Sequence, residues 1–197
     1  WVQRVSMLLT AEVKSRGFSR ALLSTRVAAP TAIPRMPRVL GQSFIHVNEA
    51  DYFVEHDEPL LTIVENPELP AANDIGRLIA RRLIEDGSTI AIGLGTTSEA
   101  VMLALSEKND LGIHTMYMTN EIMHLFSKGV ITNRKKGFND GKMVANSAIG
   151  SEDLYEFLND NPAVEFHPSD YVCKPAIIAA HNKNIVHRDL KPQNIML

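Results

Sequence analysis

The 197-residue sequence predicts an α/β fold, an open and mostly parallel sheet with flanking helices. Three observations predict it. Short apolar runs of strand length alternate with segments whose apolar residues recur at helical spacing, from Ile75 through Phe166. One such junction, Ser88–Ala100, reads as a buried strand (Ile90-Ala91-Ile92), a turn bearing Gly93 and Gly95, then hydroxyl residues opening a helix: half of a βαβ unit. Composition is ordinary for a folded domain, with 45% apolar and 22% charged residues.

The elements follow in order. Residues 1–35 form a basic, Arg/Ser-rich extension. Within it, residues 7–32 are nearly free of acids, the composition of a mitochondrial matrix-targeting segment, and Arg16-Gly17-Phe18-Ser19 resembles a processing site; a basic surface helix or mistranslated upstream sequence, with a cytoplasmic protein, is the alternative. Trp1 in place of an initiator methionine points to a fragment or a processed chain. Pro30, Pro34 and Pro37 break helices and mark a linker. Phe44–Val47 and Tyr52–Val54 read as short strands, and Pro59, Pro67 and Pro70 make a second linker. Asn73 or Asp74 is the expected cap of a helix whose apolar positions are Ile75, Leu78, Ile79, Leu83 and Ile84. A helix over 97–108 presents Ala100, Val101, Leu103, Ala104 and Leu105 on one side. A strand over 111–119, a helix over 121–127, a strand over 142–149, a helix over 152–159, a strand over 164–166 and a helical turn over 175–180 complete the pattern.

Residues 1–40 carry seven basic side chains against Glu12 alone; the remainder carries 13 basic and 22 acidic ones, for a net charge of −3. That acidic body gives no reason to expect nucleic acid as a partner. No run approaches the ~18 apolar residues of a spanning helix, so no membrane is expected. The single Cys173 excludes an internal disulfide and fits a reducing compartment. The seven histidines are scattered, and only His46 and His56, in a linker, have spacing suggestive of a metal pair, so no metal site is expected. Lys135-Lys136 reads as a solvated basic turn, with attraction of ligand phosphates as the alternative.

The glycine turn is the candidate site. Strand ends in open parallel sheets are where ligands bind, glycine admits a ligand to bare backbone, and a helix start offers unpaired N–H groups. The turn lacks the third glycine of a dinucleotide fingerprint and the lysine of a P-loop. Gly93, Gly95, Thr96 and Thr97 are the candidate binding residues, with the hydroxyls of Thr96 to Ser98 expected chiefly to cap the helix.

MPRVLGQSFIHVNEADYFVEHDEPL (36–60), LIEDGSTIAIGLG (83–95), NDLGIHTMYMTNEI (109–122), KGVITNRKK (128–136) and VANSAIGSEDLYEFLNDNPAVEFHPSDYV (144–172) together resemble the acetyl-CoA hydrolase/transferase family, 4-hydroxybutyrate and acetate CoA-transferases in particular. The resemblance implies a CoA-transferase-like sheet, here incomplete, with residues 36–72 as the linker and end of a first half and 73–186 as part of a second. It implies coenzyme A thioesters and short-chain carboxylates as substrates, no metal, and a glutamate nucleophile that passes through an anhydride and a glutamyl-CoA thioester. Half a sheet of this kind also implies self-association. In the family the turn reads GxGG, so Thr96 departs from it. Counting on from His181-Asn182-Lys183-Asn184-Ile185-Val186, Gln193 stands where the glutamate is expected, and an amide cannot form the anhydride. The expectation is binding without CoA transfer.

Residues 185–197, IVHRDLKPQNIML, resemble the catalytic loop of protein kinases. That likeness implies His187-Arg188-Asp189 with Asp189 as base, Lys191 at the phosphate and Asn194 on magnesium, with Mg-ATP as cofactor. The other kinase motifs are missing from the sequence. The run HNKNIV reads naturally in both families, and residues 187–197 look like text joined there. A kinase-related fragment and a non-catalytic binding domain are the alternative readings.

Overall fold

The computed structural model describes residues 36–45, 48, 59–63 and 70–180, with short strands at 2–3, 27–28, 52–53 and 185–188. Apart from Val27-Ala28, the targeting-like segment lies outside the described residues, as do His46 and His56.

Six strands form one all-parallel sheet. In chain order they are β1 (Leu40–Gly41), β2 (Thr89–Ile92), β3 (Gly112–Met118), β4 (Met143–Ala148), β5 (Val164–Phe166) and β6 (Ile185–Arg188). Their spatial order is β6-β2-β3-β4-β5-β1. The helices are α1 (Pro70–Leu83), α2 (Thr96–Leu103), α3 (Asn120–Ser127), α4 (Glu152–Leu158), α5 (Ser169–Val172) and α6 (Pro175–Ala180). Because β2 to β5 step across the sheet in one direction, right-handed crossovers put α2, α3 and α4 on one face. There α1 packs on α2, α2 on α3 and α3 on α4. The short α5 packs on β3 and β4, against His114 and Met116, which share a face of β3. Strands buried on both faces read as near-continuous apolar runs, and Ile113, Met118, Met143, Val144 and Ala145 are at most 0% exposed.

The edge strand β1 comes from the stretch read as linker. Asp160 N donates to Arg38 O at 2.8 Å and Arg38 N to Asn159 Oδ1 at 2.9 Å, tying the segment to the end of α4. Gly41 has φ +93°, and a Cβ there would lie 2.6 Å from Phe166 O.

Two expectations about α1 are corrected. The helix begins at Pro70, not at an Asn73 or Asp74 cap; proline suits the first turn, where its missing N–H costs nothing. Its buried face is also shifted from the predicted one, which it keeps only at Ile79 and Ile84. Ala72, Gly76, Ile79 and Ala80 are buried, whereas Ile75, Leu78 and Leu83 are 46%, 59% and 45% exposed. The reason is Gly76, where a Cβ would stand 2.5 Å from Ala100 O of α2: the two backbones meet there, and small residues fill the seam. On α2 the same displacement buries Met102 and leaves Leu103 61% exposed. That helix ends at Leu103 and continues as turns, five residues short of the expected end.

The start of α4 agrees with its charge pattern. Ser151 caps it, accepting from Leu154 N, with Glu152 and Asp153 in the first turn. Ser151→Ala is expected to cost about 1 kcal/mol in urea unfolding; no measurable change would show that the cap contributes nothing.

Candidate functional site

The site begins where β2 runs out. Ile92 is the last buried residue of the strand, and the chain then turns through Gly93, Leu94 and Gly95. Gly95 holds φ 121° and ψ 163°, a conformation that L side chains avoid, and its carbonyl accepts from Glu99 N at 3.0 Å to open α2. The helix cap is therefore Gly95 itself, and no side chain caps the helix. This corrects the capping role expected of the hydroxyls: Thr96, Thr97 and Ser98 occupy the first three helical positions, whose N–H groups have no acceptor within the helix.

Gly93, Leu94 and Gly95 form one wall of a shallow, open cleft. Ile92 and Met102 lie beneath, Ser98 and Glu99 continue the wall along α2, and Thr119 and Glu121 face it from the start of α3. Of the residues singled out from sequence, Gly93 and Gly95 line this cleft and Thr96 and Thr97 do not. Glu99, Met102, Thr119 and Glu121 were missed. Their signal was positional: in a parallel sheet the first turns after neighbouring strands gather at the same carboxyl edge.

The shape of Gly93 is specific. It has no left-handed torsion, and the nearest heavy atom to a Cβ built there is Ser98 Oγ at 4.0 Å. Neither backbone strain nor crowding within the chain demands glycine at 93; a side chain would project into open space.

Thr115, 1% exposed, supports this wall from behind. The β2–β3 ladder is registered only at Thr89↔Gly112 and Ile90↔Ile113. Two residues further on, the Thr115 hydroxyl donates to Ile92 O at 2.7 Å and accepts from Ile92 N at 3.2 Å. The neighbouring turns are knitted as well. Asn120 Oδ1 accepts from Ser151 N and Ser151 Oγ, both at 3.0 Å, and sits 2.5 Å from where a Cβ on Gly150 would be.

Lys135 and Lys136 are elsewhere. Lys136 Nζ donates to Ile113 O at 2.7 Å and Lys142 O at 2.6 Å, where β3 and β4 begin, at the opposite edge of the sheet. Its side chain is buried beside Gly112, and desolvation pushes its ammonium down to about 7 against the attraction of Glu165 and Asp140. It is thus not a solvated basic turn. Lys135 instead pairs with Asp110 at 3.3 Å, and Asp110, which also accepts from Thr132, titrates below its usual range through those contacts.

On the α5 face, His114 Nε2 meets Val172 O at 3.0 Å, while His167 contacts Glu165 at 3.1 Å and stacks on Tyr171 at 4.6 Å. Among the described residues no His/Cys/Asp/Glu group is placed to hold a metal. Of the kinase-like run, His187 and Arg188 fall in β6, which registers Ile185↔Thr89 through Arg188↔Ile92. Asp189, Lys191, Gln193 and Asn194 lie outside the described residues.

Chemically, the cleft offers a helix start and bare glycine backbone on one side, with the acidic residues Glu99 and Glu121 among those that line it. That combination suits a polar but uncharged group, such as a carbonyl, better than a phosphate.

Comparison with known proteins agrees with the fold. A family model for the acetyl-CoA hydrolase/transferase C-terminal domain matches residues 150–188. The 4-hydroxybutyrate coenzyme A transferase of Clostridium kluyveri is 42% identical over 154 residues, 77% of this chain and 35% of that protein. The succinyl-CoA:cyclohexane-1-carboxylate CoA transferase of Geobacter metallireducens is 41% identical over 153 residues, again 35% of its length. The crystal structure of RipA from Yersinia pestis superposes with a TM-score of 0.72 at 38% identity, covering 78% of this chain and 35% of that one. A 4-hydroxybutyrate CoA-transferase structure from Porphyromonas gingivalis gives 0.71 at 36% identity, over 78% and 38% of the two chains. The chain spans about a third of the length of the relatives it matches. These matches support the resemblance to the acetyl-CoA hydrolase/transferase family over about three quarters of the chain.

Proposed function

We propose that this chain carries the thioester-facing part of a CoA-transferase or acyl-CoA hydrolase acting on short-chain carboxylates, with the Gly93–Gly95 wall against the acyl-CoA carbonyl. The observation that carries the reading is Gly93: a glycine that its own chain does not require is explained by a ligand that does. Backbone N–H groups at such a wall would hold the oxyanion as the thioester carbon is attacked. The two carboxylates at the rim favour the uncharged thioester there and direct the CoA phosphates away from it.

Calorimetry with acetyl-CoA tests this. The full chain is expected to bind, and Gly93→Val to weaken binding at least tenfold while unfolding stability stays within about 0.5 kcal/mol. Equal binding by the variant would overturn the assignment of the cleft.

The reading extends to turnover. With Gln193 at the counted position of the nucleophile, the chain binds acyl-CoA without forming an anhydride, and the kinase-like text beyond residue 188, where the family match ends, is joined from another source rather than a kinase site. Detection of a covalent acyl- or CoA-adduct by mass spectrometry after incubation with acetyl-CoA would refute this. We read residues 7–32 as a matrix-targeting segment; diffuse cytosolic signal from a reporter fused to it would sink that reading.

A further inference from the structure

We propose that Thr115 is a positioning residue for the glycine wall, a role that rests on the cleft being the acyl-CoA site. In a parallel ladder the N–H and C=O of one residue point to the same neighbouring strand. By the register of β2 on β3, offset by 23 residues at Thr89↔Gly112 and Ile90↔Ile113, the residue opposite Ile92 is Thr115. The main-chain ladder has ended by then, and β3 bonds onward to β4 through Thr115↔Ala145. A gap therefore opens between β2 and β3 at the carboxyl edge, just below the turn.

One hydroxyl bridges it. Thr115 Oγ1 donates to Ile92 O and accepts from Ile92 N, satisfying both main-chain groups at a point where both are buried. Only a side chain that is donor and acceptor at one atom can do this. The peptide that follows Ile92 carries the N–H of Gly93, so its plane is set by the carbonyl that Thr115 holds. Gly95, two residues on, turns the chain into α2. The hydroxyl touches no part of the cleft surface, since Thr115 is not among the residues lining it. It acts by fixing the direction in which the wall's amides point, while the widened gap leaves room for the cleft between the starts of α2 and α3.

The test uses the full chain and three variants: Thr115→Val, isosteric without the hydroxyl; Thr115→Ser, which restores it; and Thr115→Ala, which leaves space for a water should the valine variant not fold. Acetyl-CoA affinity is measured by calorimetry under conditions where each variant is at least ~95% folded, and amide shifts and exchange are followed by NMR. The expected result is at least tenfold weaker binding for the valine or alanine variant and binding within threefold of wild type for the serine variant. Gly93 and Gly95 amide shifts move and Ile92 exchange accelerates at least tenfold, while Ile113, whose N–H donates to Asn133 Oδ1, keeps its protection. A loss of packing alone would not be rescued by serine, which lacks the methyl group. Wild-type affinity without the hydroxyl overturns the proposal. If the unaltered chain binds no acetyl-CoA, the reading of the cleft fails first; unchanged Gly93 and Gly95 amides in the valine or alanine variant then overturn the positioning role independently.

Discussion

Gly76→Ala is expected to destabilise the chain by about 2 kcal/mol, against the direction that helix propensity alone gives. Within a helix, alanine is favoured over glycine by roughly 1 kcal/mol. Gly76, however, faces the α2 backbone, and an added Cβ would lie 2.5 Å from Ala100 O, 2.6 Å from Ala100 C and 2.9 Å from Val101 N. Overpacking costs about 1–3 kcal/mol where side chains can yield, and more where main chain must move. Main chain is what stands here, so the clash wins. Because α2 begins at the cleft, pushing it away is also expected to weaken the acyl-CoA binding proposed for that cleft. Gly137, with nothing within 4 Å of its Cβ position and no left-handed torsion, is the control; Gly137→Ala should stay within about 0.5 kcal/mol. Urea denaturation of both variants decides the matter, and a stabilised Gly76→Ala protein would show that the α1–α2 seam is looser than described.

The second large effect is a pH dependence centred on Lys136. Its amine is buried, and a neutral amine has two N–H donors, one for each of the carbonyls of Ile113 and Lys142. Burial lowers its value from 10.5 to about 7, with Glu165 and Asp140 opposing the shift. Between those two values the unfolded chain holds the extra proton and the folded chain does not. Stability therefore rises with pH across that window and is flat below it. At about 1.4 kcal/mol per unit, and allowing for local relaxation, the rise amounts to roughly 2–4 kcal/mol. Lys136→Met removes the titration but leaves two carbonyls without donors, at about 1–3 kcal/mol. The variant is expected to be close to wild type at pH 6 and less stable by roughly 2–4 kcal/mol at pH 9.5. A difference between the two proteins that does not change with pH would mean that Lys136 stays charged in the fold.

How much of this was readable from the residues depended on whether the signal was local. The strand at 164–166 and the helical turn at 175–180 were read to the residue, because each is bounded by proline or turn residues. The glycine turn was legible as a strand end for the same reason. On α1 the apolar spacing was right at Ile79 and Ile84 and wrong at Ile75, Leu78 and Leu83, since a contact made through Gly76 and alanines leaves almost no hydrophobic pattern. Lys136 read as solvated because a lysine beside another lysine and a glycine looks like any basic turn. Its burial depends on Gly112, 24 positions earlier, leaving room for its stem. Glu99 and Glu121 are ordinary first-turn acids in sequence, and only the sheet brings α2 and α3 to one rim. Thr115 carried no local signal at all, because its partner is a main chain 23 residues away.

The edge strand β1 has a consequence measured in time. Leu40 and Gly41 pair only with Glu165 and Phe166, so this rim cannot close until some 125 further residues have been made. At about 5–20 residues per second, the emerging strand waits roughly 6–25 s for its partner. During that interval β2, β3 and β4 can dock as each is completed, while the Arg38–Gly41 segment stays without its place. Closure of the rim is therefore a late event in the birth of this protein, and a ribosome paused just before residue 165 would hold a sheet whose far border is still open.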